Sequence, residues 1–371
     1  MTELTPDLVR RMRLQSLLLG TKHLDSPLEI VTWFGAMQSQ DLASGKWSFG
    51  VRLPTWSQID IDSAIERGEV LRTWPMRGTI HFVPPTDASW MLKHMGQKAL
   101  AGAAARREYL GLDLATVEKS AGVLQEALTG GNRLTRTEAS QVLNDAGIET
   151  AGQHSYHIIW YVSQIGITCI GPNQGKEQTV VLLKEWAGPQ RELDRESGLA
   201  ELALRYFRSH GPTTHQDFMG WAGINAKEAK SAIAANEPDL VTLPFQGKDL
   251  WLLSSLADEM GVLDNLPGAS ATVALPGFDE YLLGFKDRAL MIDDEHKNKI
   301  IPGGNGVFQA TIVENGQVIA IWKRTVKKTK TSITVHPLRP LSKTQQASAH
   351  EALQRFGDYL RLPIEVQLLD P

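Results

Sequence analysis

Apolar positions recur at helical spacing in three stretches of the chain, and each stretch closes in a pair of short strand-like runs. In the third, Leu199, Leu202, Ala203, Tyr206 and Phe207 fall at i, i+3, i+4, i+7 and i+8, which predicts an amphipathic helix stopping at His210-Gly211-Pro212. Thr214 with Asp217, and Asn225 with Glu228, have the spacing of capping boxes and predict two further helices, the second ending near Asn236. The runs Asp239–Leu243 and Lys248–Leu253 follow, joined by Pro244-Phe245-Gln246-Gly247. In the middle stretch Thr135 and Glu138 open a helix through Ala139, Val142, Leu143 and Ala146, and Gly147 breaks it. Ile158, Tyr161, Val162 and Ile165 mark the next helix, closed by Gly166, before the runs Ile167–Ile170 and Gln178–Leu183 around Pro172-Asn173-Gln174-Gly175. The first stretch is looser, with helical patterns at Leu8–Leu19, after Pro27 and at Ser57–Arg67. Its runs Val70–Trp74 and Thr79–Val83 flank Pro75-Met76-Arg77-Gly78.

Helices followed by a hairpin, three times over, are the plan of three tandem winged helix-turn-helix units, with a generic α+β assembly as the alternative. Each Pro is expected to fix φ for its turn and each Gly to let the backbone re-enter a strand. The boundaries fall at 1–95, 96–190 and 191–260. Residues 261–371 read as a β-rich domain, punctuated by Pro-Gly at 267–268, 276–277 and 302–303. There Val307–Val313 and Val318–Lys323 form a hairpin around Asn315-Gly316, and Ile333–His336 is a strand. A closing helix at about Lys343–Leu360 precedes the strand-like Ile364–Leu368.

Composition narrows the class. Of 371 residues, 42 % are hydrophobic and 22 % charged, which excludes a disordered or collagen-like chain. The single Cys169 excludes an internal disulfide, and no Cys/His spacing suits structural zinc, so neither metal nor cofactor is expected and a reducing cytoplasm is the simplest location. No apolar run approaches the roughly 18 residues of a membrane span. The net charge of −4 is uninformative, but charge segregates: seven Lys/Arg and no acid lie between Glu314 and Glu351, against nine acids and two bases from Asp258 to Glu295.

The chemistry candidates are few. Gly-x-Ser-x-Gly, His-Glu-x-x-His and dinucleotide fingerprints are absent. Gly171-Pro-Asn-Gln-Gly175-Lys176 approximates a phosphate loop, but it is one residue short and carries Glu177 where Ser or Thr belongs, so it reads as a wing turn. His154 and His157 could share a helix face, yet no third ligand is evident, and packing or surface roles are favoured. The run Trp322–Lys330 is either a solvated edge strand or a phosphate-contacting surface, alternation sending Lys323 and Lys327 to one face and Arg324 and Lys328 to the other. Met37-Gln38-Ser39-Gln40-Asp41 stands out among apolar neighbours. In an extended or helix-terminal segment both amides face one side, where they could orient a water or hydrogen-bond a substrate. From chemistry alone, helix-end amides satisfying local backbone are the simpler reading.

Those residues carry a resemblance. Ala36–Asp41, Trp47, Leu71–Pro84, Leu275–Gly284, Pro302–Gly306 and Trp322–Thr325 together resemble the winged-helix DNA-binding family that includes the AlkZ-like DNA glycosylases, in order along nearly the whole chain. The resemblance implies three tandem winged helices in a C-shaped arrangement with a concave basic channel. It also implies removal of alkylated or crosslinked bases by a Gln-x-Gln motif whose middle residue is apolar. Gln38 and Gln40 match that motif, and Ser39 departs from it. The expectation is a DNA-binding protein hydrolysing the N-glycosidic bond of N7- or N3-alkylpurines or crosslinked bases in double-stranded DNA, with no membrane partner and a monomer favoured. Gln38 and Gln40 are the catalytic candidates, and Lys323, Arg324, Lys327, Lys328, Lys330 and Arg77 the DNA-binding ones. A noncatalytic winged-helix DNA-binding protein, such as a regulator, is the alternative.

Overall fold

A computed structural model describes residues 4–261, 272–304 and 306–371. The Pro267-Gly268 pair and Asn305 lie outside the described residues. The fold is α+β, and the chain divides into two compact units, one of residues 1–62 with 199–371 and one of residues 63–198. Among the described residues no helix is long and apolar enough to cross a membrane.

In the 63–198 unit, strands Thr79–Val83, Leu71–Met76, Thr168–Gln174, Glu177–Leu182 and Leu134–Thr135 lie side by side in that order. The helices Leu114–Leu128, Arg136–Asp145 and His154–Gln164 cover them, burying Trp74, Val117, Leu124, Leu143, Ile158 and Val162 in one core. The capping box at Thr135 and Glu138 forms as the spacing predicts.

In the other unit, capping boxes at Thr214/Asp217 and Asn225/Glu228 open the helices His215–Ala222 and Ala226–Ala234, and the hairpin Leu240–Phe245/Lys248–Leu253 follows. A second sheet runs in the order Ile364–Leu368, Thr331–Pro337, Gln317–Val326, Thr311–Glu314, Thr272–Leu275. Its first pair is parallel, and the Lys343–Leu360 helix supplies the crossover that parallel pairing requires. Trp47, on the Leu42–Gly50 helix, and Trp322 each pack edge-on against Phe356 of that crossover helix, at 5.0 and 5.2 Å. Their indole N–H groups donate to Ala274 O and Leu275 O, both at 2.8 Å, so two large aromatics are buried with their polar atoms satisfied.

Three sequence expectations need correction. The Pro-x-x-Gly prolines do not make the turns. Pro75 and Pro172 sit inside strands where the register shifts, between Thr73 and Met76 and between Gly171 and Gln174. Pro244 sits in a two-stranded hairpin, both strands of which are edges. A residue without an N–H is tolerated at such positions. The turns are the next residues: Arg77-Gly78, Gln246-Gly247 and the predicted Asn315-Gly316 all have positive φ at both positions, the two-residue hairpin geometry that matches strand twist. Second, the strand expected from Val307 begins at Thr311, because the Gln309 amide donates to Ile300 O (3.0 Å) instead of joining the ladder. Third, strand alternation through the basic run ends at Val326, where Lys327 N donates to Lys330 O (2.9 Å) and closes a turn.

Candidate active site and nucleic-acid interface

The Gln38-Ser39-Gln40 segment, which begins in the short strand Met37–Gln38, joins two helices whose ends are fixed by local sequence. Ser26 caps the Pro27–Phe34 helix, with Pro27 at its first position, and Gly35 ends it with φ of +82°, a conformation a side chain would strain. At the far end Asp41 accepts from Ala43 N and Ser44 N, each at 3.3 Å, and from Ser44 Oγ at 2.5 Å, so it caps the Leu42–Gly50 helix. The segment between starts in the two-residue strand Met37–Gln38 and bends at Gln40, so that Gln38 and Ser39 are buried while Gln40 is exposed.

Gln38 is 9 % exposed, Ser39 1 %, and Gln40 is exposed. The backbone N–H of Gln38 donates to Glu280 Oε1 at 3.0 Å, whereas its side-chain Oε1 is buried with no hydrogen-bond partner. Buried carbonyls are nearly always paired, and leaving one unpaired costs about 1–3 kcal/mol.

Glu280 was not singled out as functional from sequence, although an acidic pair inside the apolar run Phe278–Phe285 is a usable signal. It is fully buried, and its Oε2 accepts from Trp221 Nε1 at 3.1 Å and lies 3.4 Å from His210 Nε2. His210 stacks on Tyr206 at 4.5 Å, and its Nδ1 lies 2.8 Å from Ser209 Oγ. The adjacent Asp279 is locked independently. The fully buried Arg52 guanidinium reaches both of its oxygens, at 2.8 and 3.0 Å, while also donating to Leu17 O and Ser48 O, both at 2.9 Å. Ser48 Oγ donates to Asp279 Oδ2 at 3.0 Å. A planar fork making four hydrogen bonds holds the start of the Glu280–Leu283 helix in register beneath Gln38.

The basic candidates separate. Lys323, Lys327 and Lys328 are exposed and have no carboxylate partner among the described residues. Lys330 reaches both oxygens of Glu365 at 2.8 Å. Arg324 is half-buried, its guanidinium 5.4 Å above the Trp322 ring and 5.3 Å above Phe356, with Nη2 donating to Ser44 Oγ at 3.4 Å. Burial lowers its pKa, and nearby Asp41 partly restores it. Arg324 therefore faces the cap that follows Gln40. Arg77 lies in the other unit, in its hairpin turn, with Nη2 3.3 Å from His81 Nε2. Among the described residues, no three His, Cys, Asp or Glu side chains gather as a metal-ligand set.

A family model described as "DNA glycosylase AlkZ-like" matches residues 31–359. The chain is similar to the interstrand DNA cross-link repair glycosylase of Streptomyces sahachiroi, with 22 % identity covering 95 % of this chain and 97 % of that protein. The solved structure of the Streptomyces sahachiroi DNA glycosylase AlkZ superposes with a TM-score of 0.80 at 20 % identity, covering 99 % of this chain and 100 % of the other, which shows the same fold.

Proposed function

Because the chain belongs to the AlkZ-like DNA glycosylase family, we propose that it hydrolyses the N-glycosidic bond of N7- or N3-alkylated purines in duplex DNA, crosslinked bases included, with Gln38 and Gln40 at the reacting centre. The Streptomyces relative's name as an interstrand cross-link repair glycosylase supports the bulkier end of that substrate range. In this reading the segments 1–95, 96–190 and 191–260 are winged-helix units that grip the duplex, each ending in one of the hairpins described above, and 261–371 carries the basic hairpin.

The observation that carries the reading is the buried, unpartnered Oε1 of Gln38. Alkylation at N7 or N3 leaves the purine cationic, so the C1′–N bond breaks with its electron pair going to the base, which departs neutral without an acid. The sugar is left oxocarbenium-like. A water donating one hydrogen bond to Gln38 Oε1 is oriented with a lone pair free for C1′. The C–O bond forms there, and the water's extra proton passes to solvent. Amides suit this work because the reaction needs an oriented water and a tolerated cation rather than a strong base. Gln40, exposed on the same segment, supplies donor and acceptor groups toward sugar or base.

The test is single-turnover release of N7-methylguanine from an alkylated duplex by wild type, Gln38→Ala and Gln40→Ala, with DNA affinity measured alongside. Expected are rate losses of about 10²–10³-fold, the usual cost of one transition-state hydrogen bond, at unchanged affinity. Wild-type rates in both folded variants would remove the site assignment. No base release by wild type from several alkylated duplexes would favour a noncatalytic DNA-binding protein.

A further inference from the structure

A second charged surface lies in the 63–198 unit. From Ala88 to Tyr109 the chain carries Lys93, Lys98, Arg106 and Arg107 against one acid, Glu108, and the His154–Gln164 helix contains no acid at all. Packing brings these segments together: Ala99, Leu100, Ala103 and Leu110 rest on the core that includes Ile158, Ile159 and Trp160. That contact sets the Ala104–Tyr109 helix beside the first turn of His154–Gln164, where Arg106 donates to Gln153 Oε1. Arg106 also lies 5.0 Å over the ring of Tyr109, and Arg136 lies 5.9 Å over Tyr156. Tyr109 is 79 % exposed and Tyr156 is exposed as well. Among the described residues Arg106, Arg107 and Arg136 have no carboxylate partner, unlike Arg133, which pairs with Glu66 at 2.8 Å. Glu138, two residues beyond Arg136, is committed to the Thr135 cap at 2.7 and 2.8 Å.

Inside this surface is an orphan. His157 is 6 % exposed and its Nε2 has no hydrogen-bond partner, and His154 Nδ1 is likewise buried and unpaired. No side chain caps the His154–Gln164 helix; its first amide donates to Ala151 O at 3.2 Å, and the amides of Ser155 and Tyr156 follow at its positive end. Burial lowers the His157 pKa, and the charges that lower it further, Arg107, Arg106 and His154, are all positive.

Resting on the duplex-binding reading above, we propose that the Ala104–Tyr109 helix and the first turn of His154–Gln164 form a further docking surface for the DNA phosphodiester backbone. Arg106, Arg107 and Arg136 are the phosphate contacts, and His154 and His157 lie beside them in the first turn of the His154–Gln164 helix, where a docked phosphate changes the field at their rings. Phosphate oxygens are the dominant hydrogen-bond partners in protein–DNA contacts, and three arginines without carboxylates are groups awaiting anions. The occupant is DNA rather than a free anion because the patch exceeds one phosphate: two exposed tyrosine rings, each under an arginine, extend it as flat surfaces for sugar or base.

The experiment titrates the full chain with an undamaged duplex across a salt series, so the outcome is independent of base release. Each lost phosphate contact should lower the slope of log K against log salt by about 0.9. Arg106→Gln/Arg107→Gln/Arg136→Gln should therefore flatten it by about 2–3 units, while the matching Arg→Lys triple keeps it. In wild type, which has no folding concern, the duplex should shift the ring NMR signals of His154 and His157. An unchanged slope in the folded Gln triple, or unmoved histidine signals at saturating duplex, overturns the proposal. That holds even if inorganic phosphate alone shifts the histidine signals, since the site would then be one for a free anion.

Discussion

The Gln38 backbone amide and the Glu280 carboxylate meet at 3.0 Å across 242 positions of sequence. This bond sets which way the Gln38 peptide faces, and so where its side chain starts. The carboxylate is itself fixed by the Trp221 indole and by its place one residue after Asp279, which Arg52 holds with two bonds. Glu280 is thus a positioning residue for the Gln-x-Gln segment.

Removing it should cost stability and rate together. Glu280→Ala strands two buried donors, Gln38 N–H and Trp221 Nε1–H, each worth about 1–3 kcal/mol when unsatisfied. Glu280→Gln keeps an oxygen for Gln38. Melting temperatures should fall in the order wild type, Gln, Ala. At a temperature where all remain folded, the single-turnover rate at saturating DNA should fall in the same order, while the dissociation constant holds. A wild-type rate in folded Glu280→Ala would reduce the residue to scaffold.

Gln38 itself should show the opposite sign in stability. Its Oε1 is buried and unpaired, so the fold carries it at a cost. Gln38→Leu fills similar space with no orphan acceptor. Its melting temperature is expected to equal or exceed that of wild type while base release drops by about 10²–10³-fold. A fall of several degrees would mean that the carbonyl was structurally engaged.

What could be read in advance follows the range of the interactions. The boxes at Thr135/Glu138, Thr214/Asp217 and Asn225/Glu228 close over three residues, and all form where expected. Asn315-Gly316 and the Lys343–Leu360 helix are equally local. The Glu280 contact depends on elements 242 positions apart, and no periodicity reports it. Arg324 was legible as a charge but not as a stacked, half-buried one, because its neighbours Ser44 and Phe356 come from distant segments. The prolines misled for a different reason. Pro suits both a turn and a register-shifted strand, and only the ladder distinguishes them.

The basic hairpin should act through its free lysines. Lys323, Lys327 and Lys328 are exposed, whereas Lys330 is engaged by Glu365 and Arg324 by its aromatic seat. Alanine at each of the first three should lower the salt slope of duplex binding by about one unit and weaken all sequences alike. Lys330→Ala should do less, and Arg324→Ala should chiefly lower the melting temperature through lost packing. Equal slope changes at all five positions would contradict this division.

His157 should make the fold acid-sensitive. Burial, then the charges of Arg107, Arg106 and His154, hold its folded pKa below the ordinary 6.5. The unfolded chain therefore binds a proton that the folded one refuses, and stability rises with pH in the window between the folded value and 6.5. The contribution is complete above 6.5 and is lost as pH falls through the folded pKa. Melting temperature should drop from pH 7.5 to pH 5. His157→Phe keeps an aromatic ring beside Trp160, 5.6 Å away in the native packing, and removes the titrating group. The variant's melting curve should therefore depend less steeply on pH over the same range. An equal pH dependence in the variant would assign the acid sensitivity to other groups, and a duplex that fails to shift the His157 ring titration upward would separate this buried histidine from phosphate.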